Sequence, residues 1–239
     1  MNLSTLEQQL MNGPALDLSS MARAEPIKTT EERRAEWLQE RRGKFTASDF
    51  YKLMTYENKP EFPKGAMTYV TEKVVETLTE MDENERYINL EMQWGIDHEL
   101  EAIAAFSERT GLSVTDTGDN QKFIQLGDHI GGTPDGLIGN HSGIEVKCPK
   151  SITHFEYSMI RCAAELKAIQ PKYYWQVMGS LLVTDRETWY FASYDPRFFD
   201  PAKRLHFIEI ERDEAAIDLL QERLSMAILC KKELLGRFG

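Results

Sequence analysis

The sequence has few cysteines and no long apolar run. Its three cysteines, Cys148, Cys162 and Cys230, are widely spaced, so one chain can form neither a disulfide framework nor a four-thiolate metal site. The longest apolar stretch, residues 175–183, is far shorter than the roughly 18 residues that suggest a membrane span. The first residues also lack the positively charged segment and apolar core of a secretory signal. These absences predict a protein of the reducing cytoplasm.

Two common ligand patterns are missing as well. Gly131-Gly132 is not followed by the Lys-Ser/Thr pair of a phosphate-binding loop, which argues against ATP hydrolysis. The five histidines show no HxxxH or related spacing, which favours surface or core roles over metal binding. The sequence thus predicts neither an ATPase nor a histidine-ligated metal site.

The sequence has fewer basic residues than acidic ones. The chain carries 39 acidic and 28 basic residues, a net charge of −11, which argues against a protein that coats nucleic acid nonspecifically. A local basic track is still compatible with DNA binding, and part of one is formed by Arg33, Arg34, Arg41, Arg42 and Lys44. Glutamates are interleaved with these residues, so a solvated helix face is an equally open interpretation.

The organisation of the chain favours one α/β domain. A hydrophobic fraction of 41% over 239 residues is enough for one well-filled core. Residues 1–29 have the composition of a flexible tail, and the ordered domain is predicted to span residues 30–239. Helical patterns occur at 68–79, 94–109, 152–167, 172–183 and 213–235, and strand patterns occur within 129–148 and at 189–193 and 206–210.

One predicted hairpin carries three reactive side chains. Its apolar runs are interrupted at residues 139–143 by Gly-Asn-His-Ser-Gly, a turn signature. The alternation of the second strand puts Glu145 and Lys147 on the same face. Asp135 begins the first strand, so the hairpin brings its carboxylate within reach of Glu145. One metal ion can then contact both carboxylates.

This arrangement is typical of phosphodiester hydrolysis. Two carboxylates and the Val146 carbonyl suit Mg²⁺, which takes hard oxygen ligands and keeps water for a substrate phosphate. Lys147 would lie beside the attacking water and orient it or help to hold it ionised. Considered alone, the pattern also fits a turn aspartate and a cross-strand Glu–Lys pair.

Two polar residues on helices extend the candidate site. Glu99 shares a predicted helix face with the apolar residues Ile96, Leu100, Ile103 and Phe106. An unpaired carboxylate is costly on such a face, although drift at the helix boundary is a plain alternative. Gln176 lies in an apolar helix, where the pattern alone favours a hydrogen-bonded core amide.

Taken in order, these motifs resemble the lambda exonuclease family, the YqaJ-type viral recombinases of the PD-(D/E)xK nuclease superfamily. The likeness extends over residues 35–235. The matching segments are Thr46-Ala47-Ser48, Trp94-Gly95 with Glu99, Pro134-Asp135-Gly136, Glu145-Val146-Lys147-Cys148-Pro149, Gln176-Val177, Trp189-Tyr190-Phe191-Ala192 and Tyr194-Asp195-Pro196-Arg197. The resemblance implies a restriction-endonuclease-like α/β core with a central mixed β-sheet flanked by α-helices.

The resemblance also implies an activity. The family's enzymes are alkaline-type deoxyribonucleases that digest linear double-stranded DNA processively from 5′ to 3′, with two Mg²⁺ ions per site, for which Mn²⁺ can substitute. The resulting 3′ overhang serves a single-strand annealing protein in phage-type homologous recombination. A homotrimeric ring, a phage or prophage origin in a bacterial cytoplasm and no membrane partner are implied in the same way.

Position by position, the resemblance suggests roles for individual residues. The metal ligands correspond to Asp135, Glu145 and the Val146 carbonyl, with Glu99 as an acid that serves the metal through water, Lys147 as the catalytic amine and Gln176 as the active-site glutamine. The pocket for the 5′ phosphate corresponds to Arg41, Ser48 and Thr133, with Arg42 as an alternative to Arg41.

Two other functions stay open. An endonuclease of restriction or repair type would keep the same fold but would also cut closed circular DNA. A catalytically inactive DNA-binding assembly module would keep the acid cluster and bind Mg²⁺ without turnover. Linear and circular substrates distinguish the first alternative, and calorimetry combined with a nuclease assay distinguishes the second.

Overall fold

The computed structural model describes residues 30–57, 59, 62–80 and 90–239. The chain divides into two compact units, residues 1–36 and residues 37–239. The predicted tail, residues 1–29, lies outside the described residues, so the domain boundary at residue 30 stays a prediction. None of the helices in these described ranges is long and apolar enough to cross a membrane.

Groups of helices and groups of strands follow one another along the described chain. The helices are α1 Thr30–Arg41, α2 Lys64–Leu78, α3 Leu90–Thr110, α4 Ser151–Tyr157, α5 Ala163–Ile169, α6 Pro171–Thr184 and α7 Glu214–Phe238, with short 3-10 helices at Ala47–Lys52, Gly118–Asn120 and Pro201–Lys203. The strands are β1 Phe45–Thr46, β2 Val114–Thr115, β3 Ile124–Leu126, β4 Ile130–Gly132, β5 Gly136–Ile138, β6 Ser142–Lys147, β7 Thr188–Tyr194 and β8 Leu205–Glu211.

The strands form two sheets. The larger has the order β2-β5-β6-β7-β8, and only its central pair, β6 and β7, is parallel. The smaller has the order β1-β4-β3, with β1 parallel to β4. The predicted hairpin is therefore confirmed as the antiparallel pair β5–β6, whereas the smaller sheet was not predicted. Its strands are two or three residues long, too short to show a period-2 pattern.

Helices pack on both faces of the larger sheet because β7 alternates between two cores. Trp189 and Phe191 face a core that includes Val177 and Leu181 of α6. Ala192 faces the opposite way, into a core shared with Ile144 and Val146 of β6 and with Ile103 and Phe106 of α3. The predicted mixed sheet flanked by helices is thus confirmed, and β6 lies at its centre.

Two predictions about helices are corrected. The helix expected over 152–167 is two helices, α4 and α5, because the chain turns between them to bury Ile160, whose carbonyl accepts a hydrogen bond from His206 Nε2 at 2.7 Å. The apolar face expected on α3 is also only partly buried. Ile103 and Phe106 lie in the core, whereas Ile96 and Leu100 are 58% and 55% exposed, because α3 contacts the sheet mainly through its C-terminal half.

A turn after α1 is held through both of its backbone polar groups. Gly43 has φ +68°, donates its N–H to Glu76 Oε2 at 3.0 Å and accepts from Lys231 Nζ at 2.6 Å. A Cβ at this position would lie 2.4 Å from Thr77 Oγ1. Left-handed backbone and the absence of space together require glycine here.

Gly43→Ala is therefore expected to lower the free energy of unfolding by about 1–3 kcal/mol, because alanine pays for the left-handed backbone and clashes with Thr77. Urea denaturation measures this difference. Gly65→Ala is the matched control, since Gly65 lies in α2 with open space around its Cβ position and should gain about 0.5–1 kcal/mol. Equal stability of both variants would contradict the prediction.

Candidate active site

The β5–β6 hairpin brings Asp135 to Glu145. Asp135 immediately precedes β5, whose first residue, Gly136, pairs with Ile144 of β6. This register places the Asp135 carboxylate beside β6, where its Oδ2 accepts the backbone N–H of Val146 at 2.7 Å. Burial raises the pKa of Asp135, and the charge of Asp135 in turn raises the pKa of Glu145, which places the two acids close to each other.

Glu145 is buried and receives two donors on one oxygen. Its side chain is 1% exposed, and its Oε1 accepts from Lys147 Nζ and from Gln176 Nε2, the latter at 2.6 Å. Strand alternation puts Glu145 and Lys147 on the face that α6 covers, which is why Gln176 reaches them. No described residue donates a hydrogen bond to the second oxygen, Oε2, although this atom is buried.

Glu99 approaches from the helix on the opposite face of the sheet. Its Oε1 accepts from Gln121 Nε2 at 2.7 Å, and the same amide lies 3.4 Å from the Asp135 carbonyl. Gln121 therefore links the acid of α3 to the hairpin. Sequence reasoning missed Gln121, because it follows a short 3-10 helix in a loop and no periodic pattern marks it.

Burial and mutual repulsion perturb the acids strongly. Burial and then the charge of Asp135 raise the pKa of Glu145 to about 8 and that of Glu99 to about 7. Burial also raises the pKa of Asp135, against the opposing effect of Lys147. Burial alone would lower the pKa of Lys147, but the charges of Glu145 and Asp135 outweigh it and raise the pKa. The amine is therefore held protonated beside acids that ionise reluctantly.

The donor set fits a hard divalent cation. Carboxylate and carbonyl oxygens are the ligands that Mg²⁺ prefers, and they are present as Asp135, Glu145 and the Val146 carbonyl. A buried acceptor such as Glu145 Oε2 is costly without a partner, and a cation would supply one. Within the described ranges, no three His, Cys, Asp or Glu side chains are grouped so that they could hold a metal ion. A cation here would thus depend on the backbone carbonyl and on water, and the water-mediated role of Glu99 stays a prediction.

A second polar cluster forms where the smaller sheet ends. β1 runs parallel to β4, with Thr46 opposite Gly131, so the residues after each strand meet. Arg41 donates to Thr133 Oγ1 at 3.0 Å and to Ser48 Oγ at 3.4 Å. Thr133 lies two residues before Asp135, so this cluster is joined directly to the acidic site.

The structure separates the two arginines that the sequence left as alternatives. Arg41 joins Ser48 and Thr133, and its guanidinium lies 4.2 Å from the Trp37 ring centroid. Arg42 is exposed and donates to the Glu80 carbonyl instead. Trp37, which also donates Nε1–H to Thr133 Oγ1 at 3.2 Å, was missed because one aromatic on a charged helix gives no distinctive signal.

Because burial raises the pKa of Glu145, metal-free protein should lose stability as the pH rises. Between about 4.5 and 8 the unfolded chain ionises this acid while the folded chain keeps it protonated, so the free energy of unfolding falls through this window. Glu145→Gln should remove roughly 4 kcal/mol of that fall between pH 5 and pH 8.5, since each pKa unit corresponds to about 1.4 kcal/mol. Urea titrations in EDTA at pH 5 and pH 8.5 measure it, with the exposed Glu108→Gln on α3 as control. Identical pH profiles for wild type and Glu145→Gln would contradict the prediction.

Solved exonuclease structures share this architecture. The alkaline exonuclease LHK-Exo from Laribacter hongkongensis superposes with a TM-score of 0.71 and 29% identity over 85% of this chain and 95% of its own, and its complex with dAMP matches equally well. A phage-related exonuclease from Haemophilus somnus 129PT matches with a TM-score of 0.67 and 19% identity over 82% of this chain and 96% of its own, a likeness of fold alone. The predicted restriction-endonuclease-like PD-(D/E)xK fold is confirmed.

The sequence comparisons agree with the structural ones. A protein of Escherichia coli strain K12 named ExoD is 37% identical over 73 residues, which cover 30% of this chain and 82% of that protein. The profile of the YqaJ-like viral recombinase domain matches residues 36–187, a range that includes all residues of both polar clusters. The chain belongs to the YqaJ-like viral recombinase family.

Proposed function

We propose that the protein is a Mg²⁺-dependent exonuclease that digests one strand of linear double-stranded DNA from its 5′ end. The 3′ overhang would then enter recombination by single-strand annealing. One observation carries the proposal: the half-buried Asp135 lies beside the buried Glu145 carboxylate, and the Lys147 amine is hydrogen-bonded to Glu145. Membership of the viral recombinase family supports a nuclease that acts in recombination.

Each residue of the site would have a separate role in hydrolysis. Mg²⁺, when bound by Asp135, Glu145 and the Val146 carbonyl, supplies charge neutralisation at the phosphate and lowers the pKa of water. Lys147 orients the attacking water and balances negative charge as it develops. Gln176 fixes the Glu145 carboxylate through its hydrogen bond to Oε1.

The second polar cluster, Arg41 with Ser48 and Thr133, would bind the 5′-terminal phosphate of the DNA strand. Arg41 brings a permanent positive charge, and Ser48 and Thr133 bring hydroxyl donors to the same point. An enzyme that anchors the 5′ phosphate near its reactive acids would cut close to the chain end and release mononucleotides. The solved complex of the related LHK-Exo with dAMP, a nucleoside monophosphate, supports this product.

End-labelled linear duplex tests the proposal. Duplexes with a 5′ phosphate or a 5′ hydroxyl are incubated with Mg²⁺, with Mn²⁺ or with EDTA, and closed circular DNA is treated in parallel. The expected result is metal-dependent release of mononucleotides from phosphorylated 5′ ends, with Mn²⁺ substituting for Mg²⁺ and the circle left intact. Cleavage of the circle would favour the endonuclease, and calorimetric Mg²⁺ binding without any cleavage would favour the inactive DNA-binding module.

The remaining parts of the proposal concern assembly. A homotrimeric ring around DNA would explain processive digestion, and two Mg²⁺ ions per site would serve the reaction. An annealing protein would receive the overhang in the cytoplasm of a bacterial host. Light scattering of the purified protein tests the trimer, and digestion in the presence of excess unlabelled competitor duplex tests processivity.

A further inference from the structure

A cleft lined by residues outside the candidate active site is not used in the mechanism above. It has a volume of about 640 Å³ and separates the segment after the 3-10 helix Ala47–Lys52 from helices α5 and α6. Its lining includes the aromatic residues Tyr51, Tyr56 and Trp175 together with Lys167 and Lys172. Aromatic faces interleaved with ammonium groups are the combination that binds unpaired nucleic acid.

The two lysines are arranged over these rings. Lys167 Nζ lies 5.0 Å from the Trp175 ring centroid and pairs with Glu57 at 2.9 Å. Lys172 Nζ lies 5.5 Å from the Tyr51 centroid, and no carboxylate among the described residues forms an ion pair with it. In a chain of net charge −11, the charge of Lys172 is thus available to an anionic ligand such as a phosphate.

One lysine of the cleft and the lysine of the hairpin both lie near the ring of Tyr173. Lys172 Nζ lies 5.6 Å from the centroid of the Tyr173 ring, and Lys147 Nζ lies 5.2 Å from the same centroid. The ring of Tyr173 thus lies between the cleft lysine and the amine of Lys147.

Tyr56 at the rim of the cleft has an unusual backbone. Its φ is +59°, in the left-handed region that bulky side chains rarely adopt, and its side chain is 69% exposed. The turn is held by a hydrogen bond from the Lys59 N–H to the Tyr56 carbonyl at 2.9 Å, and the Tyr56 ring lies 5.3 Å from Lys59 Nζ, outside the core. Strained residues of this kind concentrate where a side chain has to be presented to a ligand.

We propose that this cleft binds an unpaired segment of the DNA strand, with a base stacked on Tyr56 and a phosphate held by Lys172. The inference rests on the proposed function, because it assigns the cleft to the same nucleic acid substrate. It adds a requirement for unpaired bases, since a base offers its full face to an aromatic ring only outside the duplex stack.

The test measures binding of a short fluorescein-labelled oligothymidylate by anisotropy in EDTA, where the strand is not cut. Tyr56→Ala and Lys172→Gln are each expected to weaken binding about tenfold. Lys172→Gln should also reduce the slope of log affinity against log salt by about 0.7, the value for one phosphate contact on a single strand. Tyr56→Phe should bind as wild type does.

Matched controls separate this site from general surface effects. Phe199→Ala removes another exposed ring, and Lys232→Ala another exposed lysine, and both should leave affinity unchanged. Tyr56→Gly should raise the melting temperature, because it relieves the left-handed backbone, and should still lose binding. Wild-type affinity in both Tyr56→Ala and Lys172→Gln would overturn the proposal.

Different results would overturn the cleft proposal and the proposed function. Mg²⁺-dependent digestion of duplex by a protein that does not bind oligothymidylate would overturn the cleft proposal and leave the nuclease intact. Tyr56-dependent binding of oligothymidylate by a protein that digests no DNA would support the cleft as a single-strand site and overturn the proposed exonuclease.

Discussion

Lys147→Ala is expected to lower the rate of DNA digestion by a factor of about 10³, within the range for loss of a positioned catalytic group. The amine is hydrogen-bonded to Glu145, and the charges of Glu145 and Asp135 raise its pKa, so it is protonated at neutral pH. Alanine would remove both the charge and the group that orients water. Release of labelled mononucleotide from phosphorylated linear duplex measures the rate.

Lys150→Ala is the matched control for that loss. Lys150 lies three residues further along the chain, is exposed and pairs with Glu91 on the surface. Its removal deletes the same charge without touching the hairpin, so digestion should stay near the wild-type rate. Circular dichroism and thermal unfolding of both variants exclude misfolding as the cause. A Lys147→Ala protein that digests duplex at the normal rate would rule out the proposed mechanism.

The second large effect is expected at the 5′ end of the substrate. Arg41→Ala should reduce the preference for a 5′ phosphate over a 5′ hydroxyl by about 10- to 100-fold, since a hydrogen bond to a charged group contributes roughly 1.5–3 kcal/mol. Thr133→Ala should give a smaller loss, because Arg41 and Ser48 remain. The initial digestion rates of the two duplexes, compared for each variant, measure the preference.

Arg42→Ala distinguishes the two neighbouring arginines. Arg42 donates to the Glu80 carbonyl, whereas Arg41 lies with Ser48 and Thr133, so Arg42→Ala should retain the preference for the phosphate. If Arg42→Ala lost the preference for a 5′ phosphate and Arg41→Ala retained it, Arg42 and not Arg41 would be the residue that binds the phosphate. The digestion rate of duplex with a 5′ hydroxyl serves as the internal reference, because this end has no phosphate for the proposed pocket to bind.

Much of the acidic site could be predicted from the sequence because its parts are local. Asp135, Glu145 and Lys147 lie on one hairpin, and the turn at 139–143 together with strand alternation determines how they meet. Gln176 lies far along the chain, and its pattern favoured a core amide. Its hydrogen bond to Glu145 depends on the packing of α6 over that face of β6, which is a tertiary contact.

Three residues of the candidate sites could not be predicted from the sequence, and the reason is the same for each. Gln121, Trp37 and Tyr56 lie in a loop, on a charged helix and in a turn, where no period separates a functional side chain from a solvent-exposed one. Their partners are distant in sequence, as in the bond from Trp37 to Thr133. A contact between residues far apart in the chain cannot be predicted from the composition around either residue.

The lengths of the elements explain the errors in the fold. Strands of seven residues, β7 and β8, were predicted because their alternation extends over several periods, whereas β1 and β4 of the smaller sheet are too short to show one. The break between α4 and α5 was missed for a different reason. Burial of Ile160 in the core outweighs the local preference to continue the helix, and a preference read along the chain contains no information about that core.

By itself, the amino-acid order determined the hairpin that carries Asp135, Glu145 and Lys147, the helices with clear periodicity and the chemical character of the candidate metal ligands, because each depends on residues close together in the chain. The tertiary structure alone decided that Arg41 and not Arg42 meets Thr133, that Gln121 joins Glu99 to the hairpin, and that lysines and aromatic rings line one cleft. These features arise from the packing of separate elements, whose relative positions depend on the whole core.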